Sequence, residues 1–344
     1  MPDVVTSSVN GASLNRPPSA DSPNPKESVR QEEQRRAPEP VDSPSISPRV
    51  LWTRGAQCQV LADVVSGGTA IRASADVAAS CIQTGASLLV TRHLRSLDLC
   101  NVAVPHGFSP VETRSIVAAV GSGPHSRLAV VIAHVLGQQL EVAVRAVYGH
   151  HDATERSRAF EVLDNVADGL ADVSVEAVQS PSPAAMVSAL PTGTLLVVGA
   201  PGGSWFQRQF FGPGARIQAK APGGTIVVKS APARVYQIMQ PATAFGPHMR
   251  VVDARQLADA QHLIVAERGK LLGLIPHRTL AEARPDLELR DIMESPALLS
   301  PDEDLDHAAE LISSHPGSAI PVVDSRRRII GTVTAADLAR RALL

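Results

Sequence analysis

Gly331-Thr-Val-Thr-Ala-Ala-Asp-Leu338 repeats an earlier stretch, Gly273-Leu-Ile-Pro-His-Arg-Thr-Leu280, at an offset of 58 residues. A second pair, Tyr236-Gln-Ile-Met239 and Arg290-Asp-Ile-Met293, has an offset of 54. Each copy is predicted to run from an Ile-Met anchor through a helix, a strand, a turn and a second strand to a closing helix. Because repeats of this period generally pack on one another, residues 233–288 and 289–344 are predicted to form one paired domain.

The second copy carries polar groups where its last strand meets the closing helix. Thr334 ends the strand, and Asp337 lies three residues on, in the first helical turn. A hydroxyl there can bond a phosphate or sugar, and a carboxylate can accept both hydroxyls of a ribose. The same residues also suit a helix N-cap and a first-turn acid that complements the helix dipole. The residues by themselves leave both interpretations open.

The repeat resembles a tandem pair of CBS domains, a Bateman module, over residues 233–344. Ser318-Ala-Ile-Pro-Val-Val-Asp324 is similar to the family's strand before the turn, and Gly331 to Leu338 is similar to its signature. The first copy departs from that signature, with Pro276 and Thr279 in the places of Thr334 and Asp337. The resemblance therefore implies one adenine-nucleotide site (ATP, ADP or AMP), built from Thr334, Asp337, Ile320, Pro321 and Gly331.

Between residues 50 and 231, short apolar runs alternate with longer amphipathic stretches. This alternation predicts a parallel sheet with helices on both faces. The predicted strands are Val60–Val65, Ala70–Ala73, Ser87–Val90, Asn101–Val104, Leu140–Val147, Ser174–Val178, Leu195–Val198 and Thr225–Val228. The predicted helices are Ala75–Thr84, 110–121, 124–136 and Ala153–Leu170.

A glycine-rich loop follows the strand at Leu195–Val198. Gly199, Gly202 and Gly212 let the backbone approach an anion, and such loops beyond a strand's carboxyl end are where open α/β sheets bind ligands. The alternative is that these glycines only make a turn and a helix cap. Trp205-Phe-Gln-Arg-Gln-Phe-Phe211, inside the same loop, is either a partner or dimer surface or a lid folded back on the sheet edge.

The glycine spacing, followed by Ala221-Pro-Gly-Gly-Thr-Ile-Val-Val228, resembles the end of a universal stress protein domain covering residues 98–231. The resemblance implies a role in stress response and a five-stranded doubly wound sheet that starts at Asn101–Pro105. In some members of that family the glycine loop binds ATP. Here Pro213 replaces the hydroxyl residue after the last glycine, and His106 stands near the place of an acidic residue. A structural or dimerising role for this domain is the alternative.

The N-terminal regions are less informative. Residues 49–97 read as an α/β extension that either lengthens the neighbouring sheet or is a degenerate second copy of that domain, and no chemistry is visible in them. Residues 1–48 hold nine of the 27 prolines and no aromatic residue. Such a segment is predicted to be a disordered tail, because it cannot bury enough apolar surface to offset its ordering entropy.

Composition and charge argue against nucleic-acid binding, a disulfide framework, a membrane span and a metal site. A net charge of −2 gives no basic footprint for nucleic acid. Three scattered cysteines without a CxxC pair favour a reducing cytoplasm. No apolar run reaches the roughly 18–20 residues of a membrane span. The histidines are dispersed, so no metal site is predicted.

These observations predict an α/β protein with a disordered tail, a doubly wound domain and an α+β CBS pair. The expected function is non-enzymatic, cytoplasmic regulation, in which a bound adenine nucleotide changes contact with an unknown protein partner. Both resemblances imply a homodimer. The alternatives are a scaffold or transporter-regulating subunit that binds no nucleotide, and a weak ATP hydrolase acting at the glycine loop.

Overall fold

A nine-stranded sheet precedes the repeats in the computed structural model of the chain. The structure describes residues 49–94, 98–200, 221–257, 262–315 and 319–342. The predicted tail at residues 1–48 lies outside these ranges. So do Gly202, Gly212, Pro213, Ser318 and the aromatic segment from Trp205 to Phe211.

The first part of the sheet, over residues 50–106, confirms three predicted strands and one predicted helix but corrects another element. The prediction of a strand at Val60–Val65 is wrong, because these residues lie inside a helix. Leu61 and Val65, one turn apart, are buried while Val60 is 38% exposed, so the apolar residues follow the helical period. The elements are β1 (Val50–Trp52), α1 (Ala56–Ser66), β2 (Ile71–Arg72), α2 (Val77–Thr84), β3 (Leu88–Val90) and β4 (Asn101–His106).

The second part of the sheet also contains one correction. The prediction of a helix over 110–121 is wrong, because Ser115–Val120 is a strand. It lies between two other strands and is buried on both faces, so no polar alternation distinguishes it from a helix. The elements are β5 (Ser115–Val120), α3 (Ser126–Leu140), β6 (Val144–His150), α4 (Arg156–Ala167), β7 (Val173–Gln179), α5 (Pro183–Ser188), β8 (Thr194–Gly199) and β9 (Thr225–Lys229).

Two parallel groups of strands meet at an antiparallel joint. The strand order is β2-β1-β3-β4-β9-β8-β5-β6-β7, and only the β4–β9 pair within it is antiparallel. The five strands β9, β8, β5, β6 and β7 form one of these parallel groups, and β5 is its first strand along the chain. The prediction that the five-stranded sheet starts at Asn101–Pro105 is therefore wrong, because that strand is β4, which runs antiparallel to β9. Counted outward from the joint, the strands on one side come in the order β4, β3, β1, β2. On the other side they come in the order β9, β8, β5, β6, followed by β7. Strand by strand, the first four positions on the two sides correspond. Residues 49–106 thus extend the sheet and repeat the topology of most of its other half.

Helices cover both faces of this sheet, as predicted. On one face Leu61 of α1, Leu136 of α3 and Leu163 of α4 share a buried cluster with Ile116 of β5. On the other face Val187 of α5 packs with alternate strand residues. Successive strand residues point to opposite faces, so fully covered strands are apolar throughout.

The repeats follow as two copies of one unit. The first contains a 3-10 turn (Val235–Gln237), β10 (Ala244–Phe245), α6 (Val251–Leu257), β11 (His262–Glu267), β12 (Lys270–Pro276) and α7 (His277–Glu282). The second contains a 3-10 turn (Leu289–Asp291), α8 (Leu305–Ser314), β13 (Ile320–Val323), β14 (Ile329–Val333) and α9 (Ala335–Ala342). In each copy the last two strands form an antiparallel hairpin.

The two copies exchange their Ile-Met anchors. Gln240, next to the first anchor, exchanges two 2.9 Å backbone hydrogen bonds with Thr332 of β14. Glu294, next to the second anchor, does the same with Leu274 of β12, also at 2.9 Å. Ile238 accordingly lies in the apolar cluster of the second copy. Neither copy has a complete hairpin edge or core without the other.

The first anchor also joins the paired domain to the sheet. Tyr236 is 2% exposed and packs among apolar residues of β1, α2 and β3. Its hydroxyl lies 3.1 Å from the Ala86 carbonyl oxygen and 2.8 Å from that of Leu99, and burial raises its pKa. Arg234 adds hydrogen bonds of 3.1 and 3.2 Å to the Asp98 carbonyl oxygen and an ion pair of 2.6 Å with Asp304.

Candidate functional site

The β13–β14 hairpin brings the predicted nucleotide-binding residues of the second repeat together. Ile320 faces Val333, and Pro321 faces Thr332 across the antiparallel ladder. Gly331 lies on the same strand as Thr332, and Thr334 follows that strand directly. Asp337 is in the first turn of α9. The hairpin register therefore places residues that are distant in sequence at one strand–helix junction.

Thr334 and Asp337 are bonded to each other at this junction. The backbone N–H and the hydroxyl of Thr334 donate to Asp337 Oδ2 at 2.8 and 2.7 Å, and the Asp337 N–H donates to Thr334 Oγ1 at 3.3 Å. This reciprocal pattern is a capping box, which satisfies free N–H groups at a helix start. The helix-cap interpretation made from the sequence thus describes these contacts.

The Asp337 carboxylate is almost fully enclosed. Its side chain is 2% exposed, so it needs donors to offset the cost of burying a charge. Thr334 supplies two, and the Arg340 guanidinium contacts Oδ1. A carboxylate has about four lone-pair sites, so one is left. Because the Arg340 side chain is 65% exposed, it can turn into solvent and free a second site on Oδ1.

The first repeat lacks this arrangement. Pro276 occupies the cap position of α7 and makes no side-chain hydrogen bond there. Thr279, in the place of Asp337, has no side-chain bond to any described residue. His277 begins the helix instead, and burial, with a smaller contribution from His277, lowers the pKa of His262. This junction therefore presents neither a hydroxyl at the cap nor a carboxylate.

Gly331 has a packing role that the sequence does not reveal. A Cβ added there would lie 2.8 Å from the Gln240 carbonyl oxygen and 3.0 Å from Met239 Sδ, both in the exchanged anchor. Gly273, its counterpart in the first repeat, would meet Met293 at 2.9 Å. The close approach of the other repeat's anchor therefore explains why each position holds a glycine, whether or not a ligand binds nearby.

Of the three glycines of the predicted phosphate loop, only Gly199 is described. Gly199 ends β8 beside β5, and the chain leaves these two strands in opposite directions, which makes a topological switch point. Gly202 and Gly212 lie outside the described residues. Nearby, His125 Nδ1 accepts from the Ser230 N–H at 3.1 Å, and burial together with Lys229 lowers its pKa.

His106 does not stand in the place expected for it. It ends β4 and pairs with Thr225 across the antiparallel joint. The residue that follows the first strand of the parallel group is Gly121. Comparing His106 with an acidic residue at that position is therefore wrong, because it depended on the mistaken first strand.

Three arginines in the first part of the sheet were not predicted from the sequence to form a site. Arg54, Arg72 and Arg92 each lie at, or within two residues of, the carboxyl end of a short parallel strand. The available signal was a basic residue at the end of three successive strands. It was lost because the first of these strands was not predicted, so the three strands were not recognised as neighbours.

The described residues contain no group of three or more His, Cys, Asp and Glu residues placed to hold a metal ion. None of their helices is both long enough and apolar enough to cross a membrane.

The C-terminal repeat matches a known family. Residues 289–343 match the family model described as CBS domain. A CBS domain therefore occupies residues 289–343. Its match spans the second anchor, β13, β14 and the Thr334–Asp337 junction.

Curated relatives match only a fragment of the chain. An L-aspartate semialdehyde sulfurtransferase of Methanocaldococcus jannaschii is 38% identical over 80 residues, which are 22% of this chain and 16% of that enzyme. A homoserine O-acetyltransferase of Methanohalobium evestigatum is 36% identical over 80 residues, with the same two shares. The chain thus spans about a sixth of the length of these relatives.

Solved structures also align with about a third of the chain. A CBS domain pair in complex with 5′-methylthioadenosine and S-adenosyl-L-methionine is 27% identical, with a TM-score of 0.30, over 32% of this chain and 96% of that chain. The CBS-pair protein CBSX2 from Arabidopsis thaliana is 23% identical, with a TM-score of 0.30, over 32% of this chain and 94% of that chain.

Proposed function

We propose that this chain is a non-enzymatic regulatory protein that senses an adenine nucleotide through a CBS pair at residues 233–344. The observation that carries the proposal is the CBS domain at residues 289–343, in which Thr334 and Asp337 lie together at the start of α9. The second repeat supplies the ribose-binding groups. The first repeat, with Pro276 and Thr279, supplies none of them.

The hydrogen bonds at the junction define how a nucleoside is held. The two ribose hydroxyls donate to the Asp337 carboxylate, one of them in place of Arg340. Thr334 keeps its backbone bond to Oδ2 at 2.8 Å and can turn its hydroxyl toward a phosphate. The helix start keeps that bond of the capping box, so binding replaces the contacts of the Arg340 guanidinium and the Thr334 hydroxyl and does not unfold the turn.

The exchanged anchors provide a route from this site to the rest of the chain. β14 bonds to Gln240, and Tyr236, four residues earlier, is buried against β1, α2 and β3. A nucleotide that binds one arrangement of a homodimer more tightly shifts the protein toward it, and so changes its contact with a protein partner. Cytoplasmic location and a structural or dimerising role for the universal-stress-protein-like region at 98–231 belong to the same proposal.

A scaffold without nucleotide is the second candidate, including a subunit that regulates a transporter. The capping box favours it, because Thr334 and Asp337 already satisfy one another. In that case the signature residues are kept for helix stability alone.

Calorimetric titration separates the two candidates. ATP, ADP, AMP, S-adenosylmethionine and cyclic dinucleotides are each titrated into the wild-type chain, Asp337→Asn and Asp306→Asn. Asp306 is a matched control, since it is an exposed first-turn acid of α8 in the same repeat. Replacing Asp337 removes a charged acceptor, so we expect at least about tenfold weaker binding of an adenine nucleotide, with Asp306→Asn unchanged.

Thermal unfolding of each variant shows that it is folded before titration. If no compound binds the wild-type chain, or if folded Asp337→Asn binds as the wild type does, the nucleotide proposal is wrong. The scaffold is then the better description.

A further inference from the structure

The first part of the sheet has a switch point of its own. β1 pairs in parallel with β2 on one side and with β3 on the other. From β1 the chain passes through α1 to β2, and then through α2 back across to β3. The connections beyond the carboxyl ends of β1 and β3 therefore diverge and leave a crevice, which is where open α/β sheets bind ligands.

A cavity of about 560 Å³ occupies this crevice. Small-molecule sites typically enclose about 300–1,000 Å³, so its size suits a metabolite. Its walls come from the segments that follow all three strands, and they include Thr53, Arg54, Arg72, Thr91, Arg92 and His93. We call this cavity the arginine cleft.

The charge of the arginine cleft is uncompensated among the described residues. Arg54, Arg72 and Arg92 are exposed, and none of their guanidinium groups has an ion pair or hydrogen bond to a described residue. No carboxylate lines the cleft. The nearby Asp76 is committed to its helix, since its Oδ1 accepts the Ala79 N–H at 3.0 Å as the N-cap of α2.

The orientation of these groups suits an anion with several oxygens. The Arg72 guanidinium lies 5.6 Å from the centre of the Trp52 ring, a contact that leaves its edge N–H donors available. The hydroxyls of Thr53 and Thr91, two further lining residues, are 3.1 Å apart. Guanidinium groups bind phosphate through paired N–H donors, and hydroxyls add neutral donors.

We propose that the arginine cleft binds a small phosphorylated metabolite, with its phosphate oxygens held by Arg54, Arg72 and Arg92. The site is separate from the Thr334–Asp337 junction and does not depend on the nucleotide proposal. It gives residues 49–94 a ligand-binding role in addition to extending the sheet.

Titration of the full chain with inorganic pyrophosphate tests the proposal. The variants are Arg54→Gln, Arg92→Gln and the control Arg158→Gln, an exposed α4 arginine with no ion pair to a described residue. Each cleft variant loses a charged donor, so we expect at least about tenfold weaker binding, while Arg158→Gln keeps wild-type affinity. Asp337→Asn also keeps it, which distinguishes the cleft from the CBS site.

A cavity-filling variant separates binding in the cleft from attraction to surface charge. Ala75 is exposed and lines the cleft, so Ala75→Phe blocks it and leaves all three arginines in place. We expect pyrophosphate binding to be lost in this variant, with the unfolding midpoint retained. The proposal is overturned if pyrophosphate does not bind the wild-type chain saturably, if Arg54→Gln and Arg92→Gln bind as tightly as wild type, or if folded Ala75→Phe does.

Discussion

The two repeats share one fold but differ in what their matching positions contact. The anchor of the first repeat buries Tyr236 against the sheet, whereas Arg290, at the same place in the second, is 53% exposed. The junction of the second repeat carries the bonded pair Thr334 and Asp337, whereas the first has Pro276 and Thr279. The first repeat thus attaches the paired domain to the sheet, and the second repeat contains the polar junction.

The largest expected change in stability is at Tyr236, where the first repeat contacts the sheet. Tyr236→Ala removes a fully buried aromatic side chain, so we expect it to lower the free energy of unfolding by about 3–5 kcal/mol. Arg290→Ala, its counterpart on the surface, should change it by less than about 0.5 kcal/mol. Urea unfolding of both variants measures the difference, and equal losses would contradict the division between the repeats.

The next effect concerns the two glycines at the exchanged anchors. Gly331→Ala drives a Cβ to within 2.8 Å of the Gln240 backbone oxygen, whereas Gly273→Ala meets the Met293 side chain at 2.9 Å. Backbone yields less than a side chain, so we expect about 1–3 kcal/mol of destabilisation for Gly331→Ala and less for Gly273→Ala. Thermal unfolding of the two variants ranks them. If Gly273→Ala lowers the unfolding temperature more than Gly331→Ala does, the close backbone contact does not explain the glycine at position 331.

A smaller effect comes from the capping box. Thr334→Ala removes the side-chain cap of α9 and should lower the free energy of unfolding by about 1 kcal/mol. Thr279→Ala, in the repeat without a box, should be nearly neutral. Thr334→Ser restores the hydroxyl and should recover most of the loss. Failure of Ser to rescue in chemical denaturation would show that the methyl group, and not the cap, is what matters.

The smallest expected change in stability is from transplanting the junction. The double variant Pro276→Thr and Thr279→Asp gives the first repeat both residues of the box. A new cap and first-turn acid should add about 0.5–1 kcal/mol or less. If those two residues suffice for a site, calorimetry should also show a second nucleotide per chain; an unchanged stoichiometry would mean that other parts of the second repeat are required.

Much of the architecture was predictable because it depends on local patterns. The helix at Ala75–Thr84 and the strand at Ser87–Val90 were predicted correctly, since their apolar spacing and flanking residues carry the signal. Val60–Val65 and Ser115–Val120 were not. The first is a helix whose apolar spacing was read as a strand, and the second is a strand buried on both faces, which has no polar side to reveal its period.

The candidate sites divide in the same way. Thr334 and Asp337 were found because they lie three residues apart in one chain segment, Gly331 to Leu338, which resembles the CBS signature. The arginine cleft was missed because Arg54, Arg72 and Arg92 are separated by about twenty residues each and meet only when β1, β2 and β3 align. Gly331 was assigned to the nucleotide site, and its contact with Gln240 was visible only in the structure.

The sequence by itself determined the duplication in residues 233–344, the polar junction of its second copy and the alternation of strands and helices before it. These are short-range properties, because they depend on spacing within a helix, a strand or a repeat. Tertiary structure alone decided that β4 joins β9 antiparallel, that the repeats exchange anchors, and that Tyr236 is buried against α2. Each of these is a pairing between segments far apart in the chain, and the stabilisation comes from surfaces that exist only after both segments have folded.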